Sequence, residues 1–174
     1  VEILFVGRFE QRKGYDRILP HLNPDKIKCN VSIVGGVKNE RYAESLLDQK
    51  WENRYLGYLS DRELESKYQS TDIVIIPSYL ENFSMVALEA IAKGCIVIIT
   101  RDCGFSQFKW ANTDNGIYVV DSGKEIVEWI NKILENKDDI QHKKESAFRL
   151  SERLTWDSVA KEYTNVYKSL TGGD

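Results

Sequence analysis

Two glutamates at a fixed spacing are the first residues of this chain that suggest chemistry. Glu81 and Glu89 stand eight positions apart in ENFSMVALEAIAKG. Two carboxylates can act as an acid/base pair, but eight helical residues rise about 12 Å, whereas paired glycosidase carboxylates lie about 5 to 9.5 Å apart. The spacing argues against a hydrolytic pair. Two readings remain open: solvated acids near a helix start, or acceptors for hydroxyls at opposite ends of a long ligand.

Two cations lie in another short stretch, GRFEQRKG, which follows an apolar run. The guanidinium of Arg8 and the ammonium of Lys13 together suit a diphosphate, and Gly7 and Gly14 permit close approach of the backbone. The alternative is a solvated loop with exposed cations. The loop has neither the GK[ST] of a Walker motif nor the GxGxxG of a dinucleotide fingerprint.

The helix that contains Glu89 is predicted to begin near Phe83 or Ser84. The first amides of a helix are unpaired and carry positive partial charge, so they form an anion site. Ser84 either caps this helix or reaches a phosphate with its hydroxyl. An anion site between two carboxylates matches the order ribose, diphosphate and sugar of a nucleotide-sugar.

Apolar runs alternate with helical segments over most of the chain, which predicts a Rossmann-like three-layer α/β domain. The expected sheet is mostly parallel, with about six strands and helices on both faces. Ligands of such sheets bind at the carboxyl ends of the strands. The predicted strands are residues 2–7, 30–36, 53–59, 72–78, 95–100 and 116–121, and the predicted helices are 14–22, 39–50, 61–70, 84–94, 123–135 and 156–170.

Composition and charge bound the function classes. The chain has 174 residues, a net charge of −3 and 42% hydrophobic residues, which is typical of one globular domain without a general attraction to nucleic acid. Three cysteines without a CxxC favour neither a disulfide framework nor a zinc ribbon. The chain opens on a strand without an initiator Met, so we expect a fragment of a longer protein. The terminal TGGD is expected to fray.

Four motifs in order resemble retaining glycosyltransferase family 4. They are GRxxxxKG, the segment GYLSDRELESKYQSTDIVIIPS, the E-x7-E spacing that follows it, and LEAIAKG. The resemblance covers roughly residues 1 to 121. It implies the GT-B architecture of two Rossmann-like domains, with residues 1–174 as the C-terminal, donor-binding domain and the N-terminal acceptor domain absent.

The resemblance also assigns roles to residues. Arg8 and Lys13 would bind the donor diphosphate, Glu89 the ribose hydroxyls, and Glu81 the hydroxyls of the transferred sugar. Gly7 would allow close approach in the first loop. The remaining positions near phosphate or base would be Gly35, Gly36, Val37, Tyr58, Leu59 and the backbone of Phe83, Ser84 and Met85.

The implied activity is transfer of a hexosyl or N-acetylhexosaminyl unit from a UDP- or GDP-sugar to a glycan or lipid-linked acceptor. The resemblance implies retention of configuration and bacterial surface polysaccharide synthesis, in the cytoplasm or at the inner face of the plasma membrane. No Asp-x-Asp occurs, so no metal and no cofactor are expected. A non-catalytic doubly wound binding or signalling module is the alternative.

Three departures from the family pattern stand out. The segment after Glu81, which is often glycine-rich, is Asn82-Phe83-Ser84; Ile96 stands where a proline is common, and Gln107 stands where an acid is common. The first and third leave the sugar open.

Overall fold

The computed structural model describes residues 1–171, which form one parallel sheet of five strands in this part of the chain. The spatial order is β2-β1-β3-β4-β5, and every neighbouring pair is parallel. The strands are β1 Glu2–Val6, β2 Asn30–Val34, β3 Ile73–Ile76, β4 Ile96–Thr100 and β5 Ile117–Val120. The predicted terminal fraying concerns residues that lie largely beyond the described range.

The helices connect these strands and cover both faces of the sheet. They are α1 Glu40–Leu46, α2 Gln49–Glu52, α3 Asp61–Gln69, α4 Met85–Ala92, α5 Gly123–Glu135, α6 Lys137–Ser151 and α7 Trp156–Thr171. Four 3₁₀ turns lie at Gln11–Lys13, Tyr15–Arg17, Gly104–Gln107 and Thr113–Asn115.

Alternate residues of each strand point to opposite faces, and each face is buried in its own apolar cluster. On one face Phe5 and Ile98 belong to the same cluster as Ile130 of α5. On the other face Val97 clusters with Ile91 of α4 and with α6. Burial on both faces explains why the strands are runs of Ile and Val rather than alternating sequences. The predicted three-layer fold is confirmed.

The predicted strand at residues 53–59 is the main difference from the expected fold. Its backbone bonds to β2 through Ile33 N to Arg54 O (2.8 Å) and Gly35 N to Gly57 O (2.8 Å), and Tyr55 forms an isolated bridge with Ile33. The segment has little room to extend this pairing. On one side α2 ends at Glu52, just before it, and on the other Gly57 has a left-handed φ of 69° that turns the chain away from β2. The sheet therefore has five strands rather than about six.

Two predicted helices are also shorter than expected. Residues 14–22 hold only the 3₁₀ turn Tyr15–Arg17 followed by irregular turns, because Gly14 is left-handed and Pro20 lacks an amide hydrogen. Residues 39–50 divide into α1 and α2 at Leu47 and Asp48. The helix at 61–70 begins with the capping box that Ser60 and Glu63 form.

The last helix, α7, lies apart from the apolar clusters. Trp156, Tyr163 and Leu170 expose much of their surface, and α7 contributes no residue to either cluster. None of the helices in residues 1–171 combines the length and the apolar character that crossing a membrane requires.

The start of α5 packs tightly against the loop after β1, and this contact requires a glycine. A Cβ on Gly123 would lie 1.7 Å from the carbonyl oxygen of Arg17. We expect Gly123→Ala to lower the free energy of unfolding by about 1–3 kcal/mol, because the helix and the turn must move apart. Urea denaturation measures this change. Gly36→Ala is the matched control, since no atom lies within 4 Å of its added Cβ; equal stability of the two variants would contradict the packing described.

Candidate functional site

Loops after three neighbouring strands meet at the carboxyl edge of the sheet. The loop after β1 contacts the loop after β3 so closely that a Cβ on Gly14 would lie 2.1 Å from Pro77 O. Tyr79 N also donates to Arg12 O at 2.9 Å. The loop after β4 joins them through Gly104 N, which donates to Glu81 O at 2.9 Å. These backbone contacts hold the side chains of the site in one place.

A cleft of about 450 Å³ opens between these loops and the start of α4. It is lined by the loops after β1 and β3 and by the first residues of α4, namely Arg12, Lys13, Leu80, Glu81, Asn82, Phe83, Ser84, Met85 and Val86. Five of the predicted site residues, Lys13, Glu81, Phe83, Ser84 and Met85, therefore lie together.

Glu81 and Lys13 form an ion pair inside the cleft. The Lys13 ammonium donates to Oε1 of Glu81, and Nη1 of Arg12 donates to Oε2 at 3.1 Å. The Glu81 side chain is only 13% exposed. A carboxylate that accepts hydrogen bonds from two cations is fixed in direction, and its remaining lone pairs can accept hydrogen bonds from hydroxyl groups.

Arg8 does not line the cleft beside Lys13, the other member of the predicted diphosphate pair. Its side chain is 57% exposed, and its Nη2 lies 3.3 Å from Oε1 of Glu10. The reason lies in Glu10, which also accepts from Lys38 and Arg12 and so gathers three cations. Hydrogen bonding from Lys38 is the main cause that keeps the pKa of Glu10 below its ordinary value.

Arg12, which the sequence analysis did not select, lines this cleft beside Lys13. Sequence reasoning missed it because the resemblance points to the first and last cations of GRFEQRKG. The structural reason is the 3₁₀ turn Gln11–Lys13. Two adjacent residues of such a tight turn, here Arg12 and Lys13, can both border one cleft.

Ser84 lies at the start of α4 in a conformation that suits glycine. Its φ is 91°, its residue is 6% exposed, and its Oγ has no hydrogen-bond partner in residues 1–171. Its side chain does not cap the helix. Ser84 therefore combines a left-handed backbone, which favours glycine, with a buried, unpaired hydroxyl, and both cost stability.

Glu89 lies on α4 but faces away from Glu81. It accepts a hydrogen bond from the Tyr68 hydroxyl at 3.0 Å, across a groove of about 280 Å³ between α3 and α4. Burial raises the pKa of Tyr68, and the negative charge of Glu89 raises it further. The phenol therefore stays a proton donor. The two glutamates therefore line separate concavities, Glu81 in the loop before α4 and Glu89 on α4 itself.

The predicted residues near the base lie beside the first loop. A Cβ on Gly35 would lie 1.9 Å from Gly7 O, so the backbones of these two glycines are in contact. Tyr15 and Tyr55 hydroxyls donate to the carbonyls of Gly7 and Gly35, each at 2.7 Å. Tyr58 is 78% exposed and stands free at the end of its segment.

Two further observations concern the loop after β4 and metal binding. The amide of Gln107 donates to Arg101 O at 2.9 Å, so this side chain shapes its own loop.

Residues 1–171 contain no cluster of three or more His, Cys, Asp or Glu side chains suited to a metal ion.

The strain at Ser84 gives a stability prediction. We expect Ser84→Gly to raise the free energy of unfolding by about 1 kcal/mol, because it removes both the left-handed side chain and the unpaired hydroxyl. Ser84→Ala removes only the hydroxyl and is expected to gain less. Urea denaturation of the two variants and the parent measures the difference; a glycine variant less stable than the parent would contradict the described backbone.

Known proteins resemble this chain in both sequence and fold. Residues 1–150 match the family described as Glycosyl transferases group 1. The chain is 31% identical over 174 residues to an uncharacterized glycosyltransferase of Methanocaldococcus jannaschii, covering 95% of this chain and 44% of the relative. It is 30% identical over 182 residues to the D-inositol 3-phosphate glycosyltransferase of Corynebacterium urealyticum, covering 95% and 42%. The chain thus spans less than half the length of these relatives.

Solved structures share the fold at lower identity. Sucrose-phosphate synthase from Thermosynechococcus elongatus superposes with a TM-score of 0.80 at 23% identity, over 99% of this chain and 46% of that one. HepE of Anabaena in complex with UDP superposes with a TM-score of 0.78 at 19% identity, over 98% and 48%. Because the family match spans most of its length, the chain belongs to the glycosyl transferases group 1.

Proposed function

We propose that residues 1–174 are the donor-binding domain of a glycosyltransferase. The donor is a UDP- or GDP-sugar, and the unit transferred to a glycan or lipid-linked acceptor is a hexose or N-acetylhexosamine. The observation that carries the proposal is the cleft at the carboxyl edge, where Lys13, Glu81 and the start of α4 converge. HepE of Anabaena, a protein of the same fold, was solved with UDP and with UDP-glucose.

The diphosphate is assigned to Lys13 and the start of α4. The ammonium is mobile enough to turn from Glu81 to a phosphate, and the first amides of the helix add a fixed positive potential. Arg8 is exposed and pairs with Glu10. We assign to it a contribution to the electrostatic field of the site rather than a direct contact with the diphosphate.

The two carboxylates are assigned to the two ends of the donor. Glu81, held in the cleft, accepts hydrogen bonds from the sugar, and Glu89, oriented by Tyr68, accepts from the ribose. The contacting backbones of Gly7 and Gly35, together with exposed Tyr58, border the space assigned to the base. Two carboxylates in separate concavities suit a ligand that carries hydroxyl groups at both of its ends.

The proposed chemistry is electrostatic. Breaking the anomeric C–O bond leaves negative charge on the nucleoside diphosphate, and Lys13 and the start of α4 lie where this charge is expected to develop. The reaction proposed is retaining and needs no metal ion, because side-chain cations take the place of a divalent ion.

The acceptor is assigned to a second domain, since the curated relatives are more than twice as long as this chain. The proposal places the full-length protein in the cytoplasm or at the inner face of the plasma membrane, in surface polysaccharide synthesis. We expect the 174 residues alone to bind a nucleoside diphosphate without transferring sugar.

Calorimetric titration with UDP, GDP and ADP tests this function. We expect one of the three to bind, and Lys13→Met to weaken it about tenfold or more, because a charged hydrogen bond to phosphate is lost. Lys161→Met, which removes the same charge from exposed α7, is the control and should change nothing. Absence of binding by all three nucleotides would favour a non-catalytic module instead.

The hydrogen bond between Tyr68 and Glu89 gives a second prediction. Tyr68→Phe keeps the buried ring but frees Glu89 to rotate, so we expect it to weaken nucleoside diphosphate binding about threefold to tenfold. The same titration measures the effect, with Glu89→Ala as the reference for complete loss. If Glu89→Ala binds as tightly as the parent, the ribose assignment is wrong.

A further inference from the structure

We propose that Arg12 is a positioning residue that holds Glu81 toward the donor sugar when the donor phosphates draw Lys13 away. This inference rests on the proposed function, because the sugar and the phosphates are its ligands.

The contacts of Arg12 join two carboxylates from different loops. Its Nη1 donates to Glu81 Oε2 and to Leu80 O, both at 3.1 Å, and its Nη2 donates to Glu10 Oε1 at 3.0 Å. Its own carbonyl accepts from Tyr79 N, which fixes the backbone to the same loop as Glu81. Arg12 is thus fixed by its backbone to the loop of Glu81 and by its side chain to both Glu81 and Glu10.

The two oxygens of Glu81 are shared between different partners. Oε1 accepts from Lys13, with Ser78 Oγ at 3.5 Å, whereas Oε2 accepts from Arg12. A donor phosphate competes with Oε1 for the Lys13 ammonium. We expect a phosphate to compete less for Arg12, because Glu10 holds its other nitrogen and Leu80 O shares its Nη1. The guanidinium therefore keeps Glu81 in place in the donor complex.

A guanidinium is the group that this position requires. Glu10 and Glu81 are both largely buried, with side chains 12% and 13% exposed, and a planar fork can bind one carboxylate with each nitrogen. Burial opposes the charge of Arg12, but the two carboxylates outweigh it and leave its pKa raised. A lysine at this position would keep the charge but could satisfy only one of the two partners well.

The test compares a nucleotide with its sugar conjugate. We would measure dissociation constants of UDP and UDP-glucose, and of GDP and GDP-mannose, for the 174-residue chain by calorimetry. The variants are then compared with whichever nucleotide and sugar conjugate bind the parent chain. Glu81→Gln measures how much the Glu81 carboxylate contributes to the affinity for the sugar conjugate. We expect Arg12→Gln to leave the affinity for the nucleotide within about twofold and to weaken the sugar conjugate about fivefold to tenfold.

Three further variants separate positioning from other roles. Arg12→Lys should give an intermediate loss, and the double variant Arg12→Gln/Glu81→Gln should behave like Glu81→Gln alone. Arg101→Gln removes an exposed cation after β4, where it pairs with Asp121, and should change neither constant. Thermal melting of each variant checks that the fold is kept.

Each alternative outcome has a distinct meaning. Equal weakening of the nucleotide and its conjugate by Arg12→Gln would make Arg12 a phosphate ligand and overturn the inference. The inference also fails if neither Arg12→Gln nor Glu81→Gln alters the ratio of the two constants. If none of the four compounds binds the parent chain, the proposed function itself fails.

Discussion

The ion pair between Lys13 and Glu81 is the interaction on which the organisation of the candidate site depends. It joins the loop after β1 to the loop after β3, and it places a cation and a carboxylate at the wall of one cleft. Such a pair is possible because β1 and β3 are neighbours in a parallel sheet, so both loops leave the same edge. The opposite charges compensate each other, which lets both groups lie in a largely buried place.

Close backbone contacts make this arrangement rigid. Gly14 approaches Pro77, Gly35 approaches Gly7, and Gly104 approaches Asn82, each at a distance that a side chain would prevent. These contacts fix the spacing of the loops, and with it the positions from which their side chains extend. Ser84 is subject to a similar constraint, because its backbone has a positive φ that favours glycine although the residue is a serine.

Sequence patterns predicted the helices and strands that have strong local signals. The runs IVII and IVIIT are buried on both faces, and the capping box at Ser60 begins α3 where expected. The predicted strand at 53–59 forms a few backbone hydrogen bonds to β2 but only one bridge, at Tyr55, before Gly57 turns the chain. Local propensity could not reveal this, since the outcome depends on how many residues the neighbouring strand leaves available for pairing.

The sequence by itself determined the fold class and the likeness to glycosyltransferases, and it predicted most of the residues that line the cleft. The order of motifs and the apolar runs suffice for these, because they are local properties of the chain. The tertiary structure alone decided that Arg8 pairs with Glu10, that Arg12 enters the cleft, and that Glu81 and Glu89 face different concavities. Side-chain direction depends on which charges a neighbouring loop presents, and that neighbour is distant in the sequence.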